Sequence, residues 1–93
     1  MKINEADIVV SLNGRDEGKY FLVIGTEDEY SLLADGKCRR IEKPKRKKDK
    51  HLKLDGKADD HIASRLASGE KVSNSEIRRE LAQYAARCNE GGM

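Results

Sequence analysis

The sequence predicts a small α+β domain in which a sheet comes first and two helices follow. Three observations carry this: apolar runs of strand length separated by glycines in the first half, helical spacing in the last third, and a length of 93 residues, which suits one domain. Charged residues make up 39% of the chain against 37% hydrophobic, so little apolar material is available for a large core. Mean hydropathy is −0.82, and the longest apolar run, Tyr20 to Ile24, is far shorter than a membrane span. The start of the chain has no apolar signal core, and two cysteines 50 residues apart form no disulfide framework. A cytoplasmic protein without membrane association is the expectation.

Ile8 to Leu12 and Tyr20 to Ile24 are rich in β-branched and aromatic residues and read as paired strands. The seven residues between them, Asn13 to Lys19, contain two glycines and form an ordered loop rather than a tight turn. Gly25 to Glu29 is an acidic turn. A third strand, Tyr30 to Ala34, meets a fourth, Lys37 to Ile41, across Asp35-Gly36, a dipeptide suited to a type I′ hairpin. That turn places Leu33 opposite Cys38 on an apolar face. Pro44 lies within Glu42 to Lys50, where it blocks ladder pairing, so this segment reads as a basic loop. His51 to Leu54 alternates polar and apolar and closes the sheet as a fifth strand.

The period then changes. Asp59 and Asp60 precede Ile62 and Leu66, which are spaced i, i+4, so a short helix begins here. Ser73-Asn74-Ser75-Glu76 has the spacing of a capping box. Ile77, Leu81, Tyr84, Ala85 and Cys88 follow it as one apolar stripe, ending before Gly91 and Gly92. Arg78, Arg79, Glu80 and Arg87 fall on the opposite face and read as solvated.

The net charge of +2 conceals a strong division. Lys37 to Lys57 holds eleven lysines and arginines against three acids, while the remainder of the chain is acidic. Neutralising phosphates releases condensed counterions, so a dense basic segment suits a polyanionic partner. The plainer reading of such a segment is a solvated linker or a solubility face.

Gly14-Arg15-Asp16-Glu17-Gly18-Lys19 between two strands resembles a KOW motif, in the form Gly-Arg-x-x-Gly-Lys followed by an apolar strand. Asp35-Gly36-Lys37-Cys38-Arg39-Arg40, and Pro44 to Leu52 ending in Lys50-His51-Leu52, extend the likeness. On these three features the chain is similar to the small bacterial KOW-domain RNA-binding proteins, themselves similar to KOW-type large-subunit ribosomal proteins of archaea and eukaryotes. The resemblance implies an SH3-like β-barrel over 1–57 with a basic loop at 42–51, and a C-terminal helical extension over 58–93. It also implies RNA binding with a link to the ribosome and translation. Structured ribosomal RNA is then the expected partner, with ribosomal proteins beside it.

Physically, Gly14 and Gly18 let the loop take positive φ and present backbone N–H groups, while Arg15 and Lys19 project towards phosphates. The acidic Asp16 and Glu17 shift weight to the later segment. The candidate RNA-binding residues are therefore Gly14, Arg15, Gly18, Lys19, Lys37, Arg39, Arg40, Lys43, Lys45, Arg46, Lys47, Lys48, Lys50, His51 and Lys53. Aromatic residues are only 4% of the chain, which favours structured RNA read through phosphates over single strands read by stacking. An SH3-like protein-interaction module of the transcription or translation machinery is the alternative.

No enzyme is expected. The Gly14 to Tyr20 segment has three residues between its glycines and a tyrosine after the lysine, where a nucleotide-binding P-loop needs four residues and a hydroxyl amino acid. Cys38, His51, His61 and Cys88 lack the close pairing of structural zinc sites, so neither metal nor cofactor is expected. Cys38 reads as a core-facing strand residue and Cys88 as part of the helix stripe.

Overall fold

The apolar runs of the first half become β1 (Asp7–Ser11), β2 (Tyr20–Glu27) and β3 (Tyr30–Ala34) in the computed structural model, which describes residues 2–91. β4 (Lys45–Lys48), a 3₁₀ turn (Asp49–His51) and β5 (Leu52–Lys57) complete one antiparallel sheet in the order β4-β3-β2-β1-β5. Two helices follow, α1 (Asp60–Ala67) and α2 (Asn74–Gly91).

Side chains alternate between the two faces of the sheet, as a period of two requires. Ile8, Leu22 and Ala34 pack on one face beneath Ile62 of α1, Val72, and Ile77 and Leu81 of α2. Val9, Phe21, Val23 and Leu33 bury one another on the other face with Ile3 and Leu52.

The sheet is not the closed SH3-like barrel expected. β4 and β5 are its two edges, and no ladder joins them. The backbone around the 3₁₀ turn bonds elsewhere: Asp49 N–H donates to Glu29 O at 2.8 Å, and Leu12 N–H donates to His51 O at 2.9 Å.

The fourth strand is also not where the turn chemistry placed it. The Asp35 carboxylate accepts the backbone N–H groups of both Lys37 and Arg39 at 2.8 Å, and Asp35 N–H donates to Arg39 O at 2.8 Å. The chain therefore coils upon itself here instead of reversing into a hairpin, since an Asp side chain competes with ladder bonds for nearby N–H groups. Cys38 is left exposed rather than core-facing. β3 pairs instead with the lysine-rich segment read as a loop, in the register Leu33↔Lys45, Leu32↔Arg46, Ser31↔Lys47 and Tyr30↔Lys48. Pro44 immediately precedes this edge strand, where its missing N–H interrupts no ladder. β2 continues into the expected turn as far as Glu27, with a register shift between Val23 and Gly25.

Both helices form where expected. The capping box closes in both directions: Glu76 N–H donates to Ser73 Oγ at 3.2 Å, and Ser73 N–H donates to Glu76 Oε1 at 3.1 Å. The opposite face of α2 is less solvated than its charges suggest. Glu80 is only 2% exposed and accepts Asp59 N–H at 2.9 Å, with the Arg87 guanidinium 3.9 Å away. Further along, the Tyr84 ring lies over Gly56, where an added Cβ would fall 2.2 Å from its hydroxyl oxygen. That hydroxyl donates to Asp55 Oδ2 at 2.6 Å. Burial, reinforced by this carboxylate, pushes the Tyr84 phenol well above its usual range. No helix among the described residues is long and apolar enough to cross a membrane.

Candidate nucleic-acid interface

The β1–β2 loop takes the conformation its glycines allow, with φ of +78° at Gly14 and +84° at Gly18. Gly18 N–H reaches back to Ser11 O at 2.8 Å and Lys19 N–H to Asp16 O at 2.9 Å, so the loop is folded on itself. It lies beside β4. Lys45 Nζ donates to Asp16 Oδ2 at 2.7 Å, Lys47 Nζ donates to Ser11 Oγ at 2.6 Å and Asn13 O at 3.2 Å, and His51 Nδ1 lies 2.8 Å from Asn13 Nδ2.

The register explains why these lysines turn inward. Lys45 and Lys47 stand opposite Leu33 and Ser31, and residues directly opposite share a face, so both side chains share the face of Leu33. Lys47 reaches Ser11 at the end of β1, and Lys45 reaches Asp16 in the loop beyond it. The segment read as a basic loop is therefore not fully solvated: Lys45, Lys47 and Lys48 are half-buried and only Arg46 is exposed. Burial pushes the Lys47 ammonium below its ordinary pKa, and neighbouring Lys45 adds to that effect.

Asp16 sits among cations. A hydrogen bond from Lys45 holds its carboxyl below the usual carboxylate range, and the charges of Lys45, Lys19 and Arg39 add to this against the opposing effect of partial burial. Lys19 Nζ is 3.8 Å from the same carboxylate. One negative charge thus faces three positive ones, where the loop meets the segment after β3. Of the two acids at the loop tip, Asp16 is thus already paired with Lys45 and Lys19, whereas Glu17 is exposed and makes no salt bridge among the described residues.

The other candidates divide. Arg46 stacks on Tyr30 with its guanidinium carbon 3.6 Å from the ring centroid and binds Glu27 Oε1 at 3.0 Å. Arg40 lies 3.8 Å from Glu42. Lys48 and Lys50 line a hollow shared with Asp28, Glu29 and Asp49, where the charge is mixed. Arg15, Lys37, Arg39, Lys43 and Lys53 are exposed and make no salt bridge among the described residues. Lys53 stands apart from the others on β5, the far edge of the sheet.

Sequence reasoning missed Arg78. Its guanidinium donates from α2 to Gly36 O and to Ser75 Oγ, the latter at 3.0 Å, and so stands against the turn that follows β3. Helical spacing places it on a polar face, but only tertiary packing shows which loop that face meets.

In comparisons with known proteins, no family model matches the chain and no curated protein matches it. With the open sheet, this overturns the assignment to the KOW-domain proteins, and with it the association with the ribosome and translation that the likeness implied.

Proposed function

We propose that this protein binds structured RNA through the sugar–phosphate backbone, at the surface where the β1–β2 loop meets the segment between β3 and β4. The supporting observation is the excess of cations there: Lys19, Arg39 and Lys45 act on the carboxylate of Asp16, and Arg15, Lys37, Arg40 and Lys43 stand with them against Glu17, Asp35 and Glu42 in the same two segments. A polyanion gains counterion release at such a surface. The aromatic side chains favour structured over single-stranded RNA. Phe21 is 1% exposed, Tyr20 and Tyr84 pack edge to face with centroids 5.5 Å apart, and Tyr30 is covered by Arg46. None offers a free ring for base stacking, on which single-strand readers depend.

The test is fluorescence anisotropy with an RNA hairpin and with a single strand of equal length, repeated across salt concentrations. Changing Lys37, Arg39 and Lys43 together to glutamate weakens hairpin binding by at least tenfold and flattens the salt dependence, because each lost phosphate contact removes about 0.7–0.9 from the slope. The fold survives the change, with a melting temperature within a few degrees of the parent's, since none of these three side chains makes a salt bridge among the described residues and only Arg39 acts on Asp16, through its charge. Undiminished binding by the triple variant overturns the proposal, and so does absence of binding by the parent chain.

A further inference from the structure

Between the β1–β2 loop, the turn after β3 and α2 lies an open groove of about 500 Å³. Lys19, Lys37 and Arg78 stand around it, while Tyr20, Leu81 and Ala82 supply apolar wall. Asp35 is the only carboxylate in its lining, and one oxygen of that carboxylate already accepts the N–H groups of Lys37 and Arg39. Arg78 is held in place by Gly36 O and Ser75 Oγ, which uses two of the five guanidinium N–H donors and leaves the others available. An arginine fixed in this way loses less conformational freedom on meeting a phosphate than a free lysine does.

We infer that this groove seats one sugar–phosphate unit of the bound RNA, with the phosphate among Lys19, Lys37 and Arg78 and the ribose against Leu81 and Ala82. The inference rests on the RNA-binding reading above and extends it, because it makes α2 part of the interface. Gly36 allows the arrangement. It has a φ of +76°, and an added Cβ there would lie 2.3 Å from Asn74 O, so the turn approaches the first turn of α2 as only glycine permits.

Two substitutions that add the same charge to one exposed helix surface give the test. Ala82→Glu places a carboxylate in the groove, whereas Gln83→Glu places it on the side of α2 that faces His61 and Arg79. With the RNA hairpin as probe, Ala82→Glu weakens binding about tenfold, the scale of one charge-assisted contact. Gln83→Glu stays within twofold of the parent. Lys37→Glu serves as the second variant, matched against Lys57→Glu, because neither side chain makes a hydrogen bond or salt bridge among the described residues. Binding by the parent that is equally affected by Ala82→Glu and Gln83→Glu, with Lys37→Glu no worse than Lys57→Glu, overturns the groove and leaves the RNA-binding reading standing. No hairpin binding by the parent overturns both.

Discussion

Two seams hold this molecule together, and they are made of different things. Along the first, α2 lies on the sheet through Ile77 and Leu81, and Tyr84 occupies the space that Gly56 leaves open. Along the second, the β1–β2 loop is tied to β4 by Lys45–Asp16 and by Lys47 to Ser11 and Asn13. The first excludes water and depends on shape, whereas the second depends on charges that a phosphate can compete for. Apolar packing is thus concentrated under the helix, while the β1–β2 loop is joined to β4 by contacts that salt and pH can weaken.

The largest expected effect belongs to the packed seam. Ile77 has no exposed surface, and Ile77→Ala costs about 2–5 kcal/mol of unfolding free energy, the usual range for such a truncation. Urea denaturation at low and high salt checks this, and a loss that varies strongly with salt would break the contrast. Next, Gly56→Ala drives a methyl into the Tyr84 ring and costs about 1–3 kcal/mol as overpacking. Adding Tyr84→Ala removes the collision, so the double variant loses less than the sum of the two single variants.

Effects at the charged seam are smaller and can differ in sign between stability and binding. Asp16→Asn lowers stability by about 1 kcal/mol, the upper end for ion pairs near the surface, since the Lys45 and Asp16 side chains are only 29% and 15% exposed. The same change frees Lys45 and Lys19 from a carboxylate, so affinity for the RNA hairpin rises roughly two- to fivefold on that same energy scale. Weaker binding by this variant would show that the latch positions the surface instead of competing with the ligand.

The smallest effect is a titration. Because the Asp16 carboxyl is depressed in the folded protein, its contribution to stability is complete above the unfolded carboxylate pKa of about 3.9. It is lost as pH falls through the lower folded value. Carbon-13 carboxyl resonances report this midpoint directly, and Lys45→Met moves it back upwards. No movement would separate Lys45 from the carboxylate it is drawn against.

Elements written in local patterns were readable from the sequence. β1, β2 and β3 show in their β-branched and aromatic runs, and α2 in its stripe and capping box. β4 was not readable, because Lys45-Arg46-Lys47-Lys48 has no apolar alternation. It forms a strand by pairing with β3 and by laying Arg46 on Tyr30. The Asp35-Gly36 turn misled for a related reason, since hairpin statistics take no account of a carboxylate that gathers two nearby N–H groups. At the candidate site, the loop glycines and the basic segment were visible as composition. The inward turn of Lys47, the cations around Asp16 and the arrival of Arg78 at Gly36 are contacts between distant parts of the chain, and no local spacing encodes them.

β4 has a neighbour on one side only, so its outer backbone groups are open to a strand from another copy of the chain. β4 carries four successive cations, of which Lys45 and Arg46 are paired with Asp16 and Glu27. The net positive charge of this edge therefore comes from Lys47 and Lys48, and like charges brought edge to edge repel. The repulsion between two such edges is electrostatic, and it declines as the screening length shortens with ionic strength. Concentrated solutions of this protein should stay monodisperse most readily in dilute buffer, the reverse of the practice of adding salt to keep proteins apart.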